Sequence, residues 1–182
     1  MSLAPPGANR PRAAFSLLEL LVVLALVAAL AGLVLGAGRR AVEAGKCARA
    51  RAELAVLDTA LAGYQRAFGD FPRTGDAAVL LQALLGRRDP GGAVIAGRAV
   101  IEVERFTIAG AADPDVDATA ELADPWGRPY RYAYKSQLPW TNPEVVLYSR
   151  GPDGRDAPAL APGGFPDEAA TENADNIWSS HP

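Results

Sequence analysis

The sequence predicts an α+β protein: a long N-terminal transmembrane and amphipathic helix packed on a small antiparallel sheet, with a loop-rich C-terminus. Three observations carry this. From Leu20 to Gly38 no side chain is ionisable. From Cys47 to Phe68 apolar residues recur at alternating spacings of three and four, the mark of one buried helix face. Beyond Pro72 the pattern shortens to brief β-type alternation broken by glycine, proline and acidic residues.

Residues 1–14 read as a leader. Ala4-Pro5-Pro6-Gly7 and Pro11 oppose helix, and Arg10 and Arg12 make the segment basic. Residues 15–38 follow as a transmembrane helix. About 20 apolar residues cross a bilayer core as a helix, whereas the apolar part of a secretory signal is only about 7–15. Residues 39–72 continue as an amphipathic helix. Cys47, Ala50, Leu54, Leu57, Leu61, Tyr64 and Phe68 form its stripe, and Arg49, Arg51, Glu53, Asp58 and Arg66 fall off it. No proline intervenes before Pro72, so one helix is expected from Phe15 to Phe68, roughly 80 Å long at 1.5 Å per residue. Gly69-Asp70-Phe71-Pro72 stops it.

Residues 73–182 form the globular domain. Asp76–Leu85 has helical spacing. Gly86–Gly92 reads as a polar loop, Val94–Ile108 as one or two strands, and Gly110–Ala123 as loop. Tyr130, Tyr132 and Tyr134 alternate with Arg131, Ala133 and Lys135 as a half-buried strand. Glu144–Tyr148 is another strand, and Ser149 onward is loop. Asp124-Pro125-Trp126-Gly127 reads as a turn, with proline at its second position and glycine free to take positive φ. Trp126 is expected to pack in the core beneath the tyrosine strand.

The chain has 182 residues, a net charge of −3, one cysteine (Cys47) and one histidine (His181). No basic surface suggests nucleic acid. No intramolecular disulfide can form. A multi-histidine zinc site or a histidine-based catalytic centre is excluded. There is no Gly-x-Ser-x-Gly, no paired histidine and no phosphate-cradling glycine loop, so a structural protein is expected rather than an enzyme. Cys47, on the apolar stripe, reads as packing.

Glu19 is the one ionisable residue between Ala13 and Gly38. A carboxylate in the centre of an apolar helix costs about 2.5–3.5 kcal/mol on insertion scales. At this edge position the cost is smaller, and snorkelling to the headgroups is one way to relieve it. Pairing is the other. Phe15 and Glu19 are four apart and share a helix face. Cleavage after Ala14 would give Phe15 a free ammonium, on its own helix or on the next subunit, to neutralise Glu19. Counting positive charges alone, Arg39, Arg40, Lys46, Arg49 and Arg51 against Arg10 and Arg12, would keep the C-terminal domain cytoplasmic. The pairing reading overrules that count.

Ala14-Phe15-Ser16-Leu17-Leu18-Glu19-Leu20 with the apolar run behind it resembles the class III leader of type IV pilins and pseudopilins. The resemblance implies a prepilin peptidase that cuts between Ala14 and Phe15 and methylates Phe15, and a Glu19 that guides filament assembly. The family has glycine before the cut, where this chain has Ala14. It also implies a single-pass inner-membrane protein with its domain in the periplasm.

Leu57-Asp58-Thr59-Ala60-Leu61, Tyr64, Gly69-Asp70-Phe71-Pro72, Asp124-Pro125-Trp126-Gly127-Arg128-Pro129-Tyr130, Tyr148-Ser149-Arg150-Gly151-Pro152-Asp153-Gly154 and Asn173-Ala174-Asp175-Asn176-Ile177 are similar to the type II secretion major pseudopilin. The likeness fails between Gly86 and Ala123, which looks like an insertion. It implies a homopolymeric pseudopilus that drives protein export, with minor pseudopilins and an inner-membrane assembly platform as partners. A minor pseudopilin, a type IV pilin, or less readily a membrane-anchored periplasmic enzyme or binding domain are the alternatives.

The acidic loop 149–182 carries Asp153, Asp156, Asp167, Glu168, Glu172 and Asp175. Composition alone favours a solvated loop. Calcium takes oxygen ligands in flexible geometry, and the resemblance implies one structural calcium here. Asp153 and Asp175 would be side-chain ligands, with the carbonyls of Arg150 and Arg155 and a group from Asn176 or Ile177. Asn176 stands where the family often has an acid.

Overall fold

The computed structural model describes residues 16–109, 113–157 and 159–179, without the side chains of 33–37. The leader, Ala14, Phe15 and His181 lie outside the described residues. The chain divides into two units, Met1–Val42 and Glu43–Pro182.

Helix α1 spans Leu17–Phe68, two residues short of the expected start. Within the first unit its described leucines, among them Leu17, Leu21, Leu24 and Leu30, are more than half exposed. Among the described residues no helix is long and apolar enough to cross a membrane. The undescribed side chains 33–37 fall inside the apolar run read from the sequence.

In the second unit the expected stripe is the core. Ala50, Leu54, Leu57 and Tyr64 are 0% exposed and Leu61 is 1%, with Cys47 packed partly buried at its edge. Glu53 departs from expectation: it is buried at 7% exposure rather than off the stripe. Gly69 stops α1 at φ +81°, its amide donating to Gln65 O at 2.7 Å. α2 covers Ala77–Leu84. Asp76 caps it, its carboxylate accepting from Ala78 N at 2.8 Å and Val79 N at 3.1 Å. Such a cap offsets otherwise unpaired first-turn donors.

The strands are short. β1 (Thr107–Ala109) pairs antiparallel with β2 (Glu121–Ala123). β3 (Arg131–Ala133), β4 (Val146–Ser149) and β7 (Ile177–Trp178) form an antiparallel sheet in the order β3-β4-β7. β5 (Leu160–Ala161) and β6 (Phe165–Pro166) make a small ribbon. The fold is therefore α+β, a long N-terminal helix with small antiparallel sheets, consistent with a pilin-like fold.

Val94–Ile108 holds one strand, β1, within the one or two expected, preceded by a 3-10 turn at Val103–Arg105. Two expectations change. The segment read as loop up to Ala123 supplies β2. The C-terminal tail, read as loop throughout, contains β5, β6, a 3-10 turn at Thr171–Asn173 and β7. Two- and three-residue strands are too short to show a period, and long-range pairing alone creates them.

The tyrosine strand is more deeply placed than its alternation implies. Tyr130, Tyr132 and Tyr134 are all at most 7% exposed, and each hydroxyl reaches the helix or its end. Tyr130 Oη donates to Glu53 Oε2 at 2.6 Å, Tyr132 Oη to Pro72 O at 2.9 Å and Tyr134 Oη to Asp70 Oδ1 at 2.7 Å. Tyr64 Oη donates to Arg88 O at 2.8 Å. Burial pushes the Tyr64 hydroxyl up to about 12 and raises Tyr130 and Tyr132 further. Burial alone would raise Asp70, but hydrogen bonds from Tyr134, Arg73, Lys135 and the Phe71 amide outweigh it and hold that carboxyl well below its usual range.

Candidate functional site

Two regions carry the residues singled out above, one in each unit. At the first, Ala14 and Phe15 lie outside the described residues. Glu19 sits in the first turn of α1. Its amide donates to Ser16 Oγ at 3.2 Å, and Leu20 N donates to Ser16 O at 3.2 Å. Ser16 therefore caps the helix, and Ser-x-x-Glu is a capping-box pattern. A carboxylate in a first turn also meets the positive end of the helix dipole. The Glu19 side chain is exposed and has no hydrogen-bond or ion-pair partner among the described residues.

The second region begins at Asp124-Pro125-Trp126-Gly127, which is the expected turn. Gly127 takes φ +81° and its amide donates to Asp124 O at 2.8 Å. Asp124 is 1% exposed. Its Oδ1 accepts from Trp126 N and Arg128 N, both at 3.0 Å, and its Oδ2 from Ser149 Oγ at 2.6 Å. That last bond ties the turn to the end of β4, so the carboxylate is a buried anchor.

Trp126 is half-buried and packs against the core cluster that contains the three tyrosines. Its indole Nε1 donates to Glu43 Oε2 at 2.9 Å. Lys46 and Arg128 lie over its ring, at 6.0 Å and 5.8 Å from the centroid, within cation–π range. The Trp126 hydrogen bond, followed by Lys46, lowers the Glu43 carboxyl. A polar indole edge explains the position: a buried N–H needs an acceptor, and α1 offers Glu43.

From β4 the chain enters the acidic loop and returns as β7, where Ser149 pairs with Ile177. Gly154 N donates to Arg150 O at 3.2 Å, closing a tight turn. On one side of that turn Asp175 Oδ2 accepts from Asp153 N at 3.0 Å. A Cβ on Gly151 (φ +60°) would collide with Asp175 O. On the other side Arg128 Nη2 donates to Gly151 O, and to Pro152 O at 3.4 Å.

The loop's acids are spread out. Asp153 Oδ1 accepts from Arg155 N at 2.8 Å. Asp156 Oδ2 accepts from Tyr148 Oη at 2.9 Å and faces Arg131 Nε at 3.5 Å. Asp167 Oδ1 accepts from Ala169 N at 3.2 Å. Among the described residues no three His, Cys, Asp or Glu side chains are gathered as a metal group. Of the expected calcium ligands, Asp153 and Asp175 are brought together through the Asp153 amide. Asn176 Oδ1 is buried with no hydrogen-bond partner among the described residues. Two carboxylates and an orphaned amide oxygen fit the hard-oxygen chemistry of calcium. The Arg150 carbonyl already accepts from Gly154.

Asn173 is the hub of the loop, 2% exposed. Its Oδ1 accepts from Ala157 N at 3.2 Å and Asn176 Nδ2 at 3.1 Å, and its Nδ2 donates to Asp167 O at 2.6 Å. In the sequence Asn173 and Arg128 figure only as parts of longer segments and neither has a role of its own, because their partners are set by how the loop folds. Ser16 is legible, three residues before Glu19 at the mouth of an apolar run.

A family model, the prokaryotic N-terminal methylation motif, matches residues 9–35. No curated protein and no solved structure matches the chain. The matched segment holds Ala14, Phe15, Ser16, Glu19 and most of the apolar run, and it supports a type IV pilin-like or pseudopilin subunit, with processing by a prepilin peptidase and assembly into a filament.

Proposed function

We infer that the chain is a structural subunit of a type II secretion pseudopilus. A prepilin peptidase removes residues 1–14 and methylates Phe15. The mature helix waits in the inner membrane as a single span, domain in the periplasm, and then packs with copies of itself into a filament whose growth drives protein export. The observation that carries this is the methylation motif over residues 9–35, where the described leucines of α1 from Leu17 to Leu30 are exposed and Glu19 has no partner among the described residues. Exposed apolar area of this kind requires an apolar partner, first lipid and then neighbouring helices. Glu19 pairs with the Phe15 ammonium and sets axial register between subunits.

The role is structural rather than catalytic. Glu53, Asp70 and Asp124, the acids best placed inside the domain, are each committed to bonds that hold it together. The turn at Asp124 and the loop after Ser149 favour the major subunit. The β1–β2 hairpin, built largely from the 86–123 insertion, leaves a minor pseudopilin or a type IV pilin as the second reading. Abundance in the assembled filament separates them.

Calcium belongs to the same reading. Asp153, Asp175 and Asn176 would hold it with the carbonyls of Arg150 and Arg155, and it would supply positive charge to an acid-rich loop. Chelation should then lower the melting temperature of residues 40–182, and an unchanged melting curve would remove the ion. The function itself is tested by Glu19→Ala, which should leave the subunit inserted and unassembled. Normal filaments from that variant would sink the proposal.

A further inference from the structure

Arg128 occupies a position that neither filament assembly nor a calcium ion accounts for. It follows the Asp124–Gly127 turn, yet its guanidinium lies against the backbone of a different turn, 150–154. Nη2 donates to the carbonyls of Gly151 and Pro152. Nη1 stands where a Cβ on Gly154 would have to be, and Cζ is 2.6 Å from that point. Gly154 has φ +73°, so glycine there serves both the turn and the approach of the arginine. Nε faces the buried Asp124 carboxylate at 4.0 Å, an ion-pair distance too long for a hydrogen bond. The Arg128 side chain is only 25% exposed, and its plane lies over Trp126.

Two convergent carbonyls, a buried carboxylate behind them and an aromatic face beside them form a cation site already filled by a side chain. Carbonyl oxygens turned toward one point repel unless a donor or cation stands there. A planar guanidinium with a fixed fork of donors suits adjacent carbonyls better than a lysine ammonium does, though either carries the charge.

We propose that Arg128 is the resident cation of the C-terminal loop, a positioning residue that folds the 150–154 turn from its inner side whether or not a metal binds on the Asp153–Asp175 side. Arg128 pairs with Asp124 and not with Asp153 or Asp175 among the described residues, so the two devices are separable. Asp175 fixes the Asp153 amide, and Arg128 fixes the Gly151 and Pro152 carbonyls. The domain thereby keeps this loop folded when divalent cations are scarce.

The test is hydrogen exchange of the amides of Gly151 and residues 153–157 in the full chain in detergent, with a chelator present throughout so that any calcium contribution is absent. Arg128→Met should speed exchange there by about tenfold or more, as loss of a charge-assisted bond lowers the cost of local opening. Amides of α1 between Leu54 and Tyr64 should be unaffected. Arg128→Lys should stay much nearer to the wild type, because the charge is kept. Wild-type exchange rates in Arg128→Met would overturn the proposal. So would an Arg128→Lys loop as open as that of Arg128→Met, since charge would then not be what holds the turn. Should Arg128→Met unfold the whole domain, the lysine variant decides alone: protection close to wild type supports the cation, and its loss refutes it.

Discussion

Glu19 and Glu53 lie on one helix and are bound in opposite ways. Both oxygens of Glu53 are taken, one by Arg49 Nε at 2.6 Å and the other by Tyr130 Oη at 2.6 Å. Glu19 stands among exposed leucines with no partner among the described residues. A buried acid that finds its donors within the chain is part of the fold, because removing either side strands the other. An acid in an apolar stretch without such donors looks outward, to a group that processing or assembly must supply. The same contrast holds for the leucines of α1: Leu54, Leu57 and Leu61 are buried against the domain, and the described ones from Leu17 to Leu30 are exposed.

The sharpest way to break that contrast is at Glu19. Glu19→Ala should abolish filament formation while the globular domain of the full chain in detergent melts at an unchanged temperature, checked by microscopy of membrane extracts and by calorimetry. A melting shift would mean that Glu19 works inside the fold. Next come the leucines. Leu57→Ala, at a site 0% exposed, should cost the domain about 2–5 kcal/mol in urea unfolding. Leu24→Ala, at a site 61% exposed, should impair assembly instead. Glu53→Ala should cost about 1–3 kcal/mol, because the buried Tyr130 hydroxyl is left without its acceptor. Filaments should still form wherever the domain remains folded.

The smallest effects lie in the pH dependence of the domain, where two acids oppose each other. Asp70 is held below its ordinary range in the native state. Its contribution is full above the unfolded value of about 3.9 and is lost as the pH falls toward the lower native value. Asp70→Asn should therefore flatten the acid limb of a melting-temperature profile. Asp58 is raised by burial, with Glu144 adding to the rise. Its contribution is present below about pH 3.9 and is lost as the pH climbs through the native value. Asp58→Asn should melt slightly higher than wild type at pH 7 and equally at pH 3.

How far the sequence could be read follows the same division. The stripe from Cys47 to Phe68 is legible because a 3.6-residue period persists over six turns. The tyrosine strand is legible because it alternates. Asp76 and Gly69 announce the ends of their helices by local chemistry. By contrast, the burial of Glu53 depends on Tyr130, which lies 77 residues away. The strands β5, β6 and β7 have two residues each, too few for any pattern. Arg128 is an ordinary residue until the carbonyls of Gly151 and Pro152 meet it, and Asn173 until the loop folds around it. Glu19 is conspicuous for another reason: one acid in an uninterrupted apolar run draws notice without any knowledge of the fold.

The most direct measurement is intact N-terminal mass spectrometry of the protein isolated from membranes. A mature chain that starts at Phe15 with a methylated amine provides Glu19 with the partner it lacks. A chain that still begins at Met1 with an unmodified terminus leaves Glu19 unpaired and contradicts the assembly of this helix into a filament.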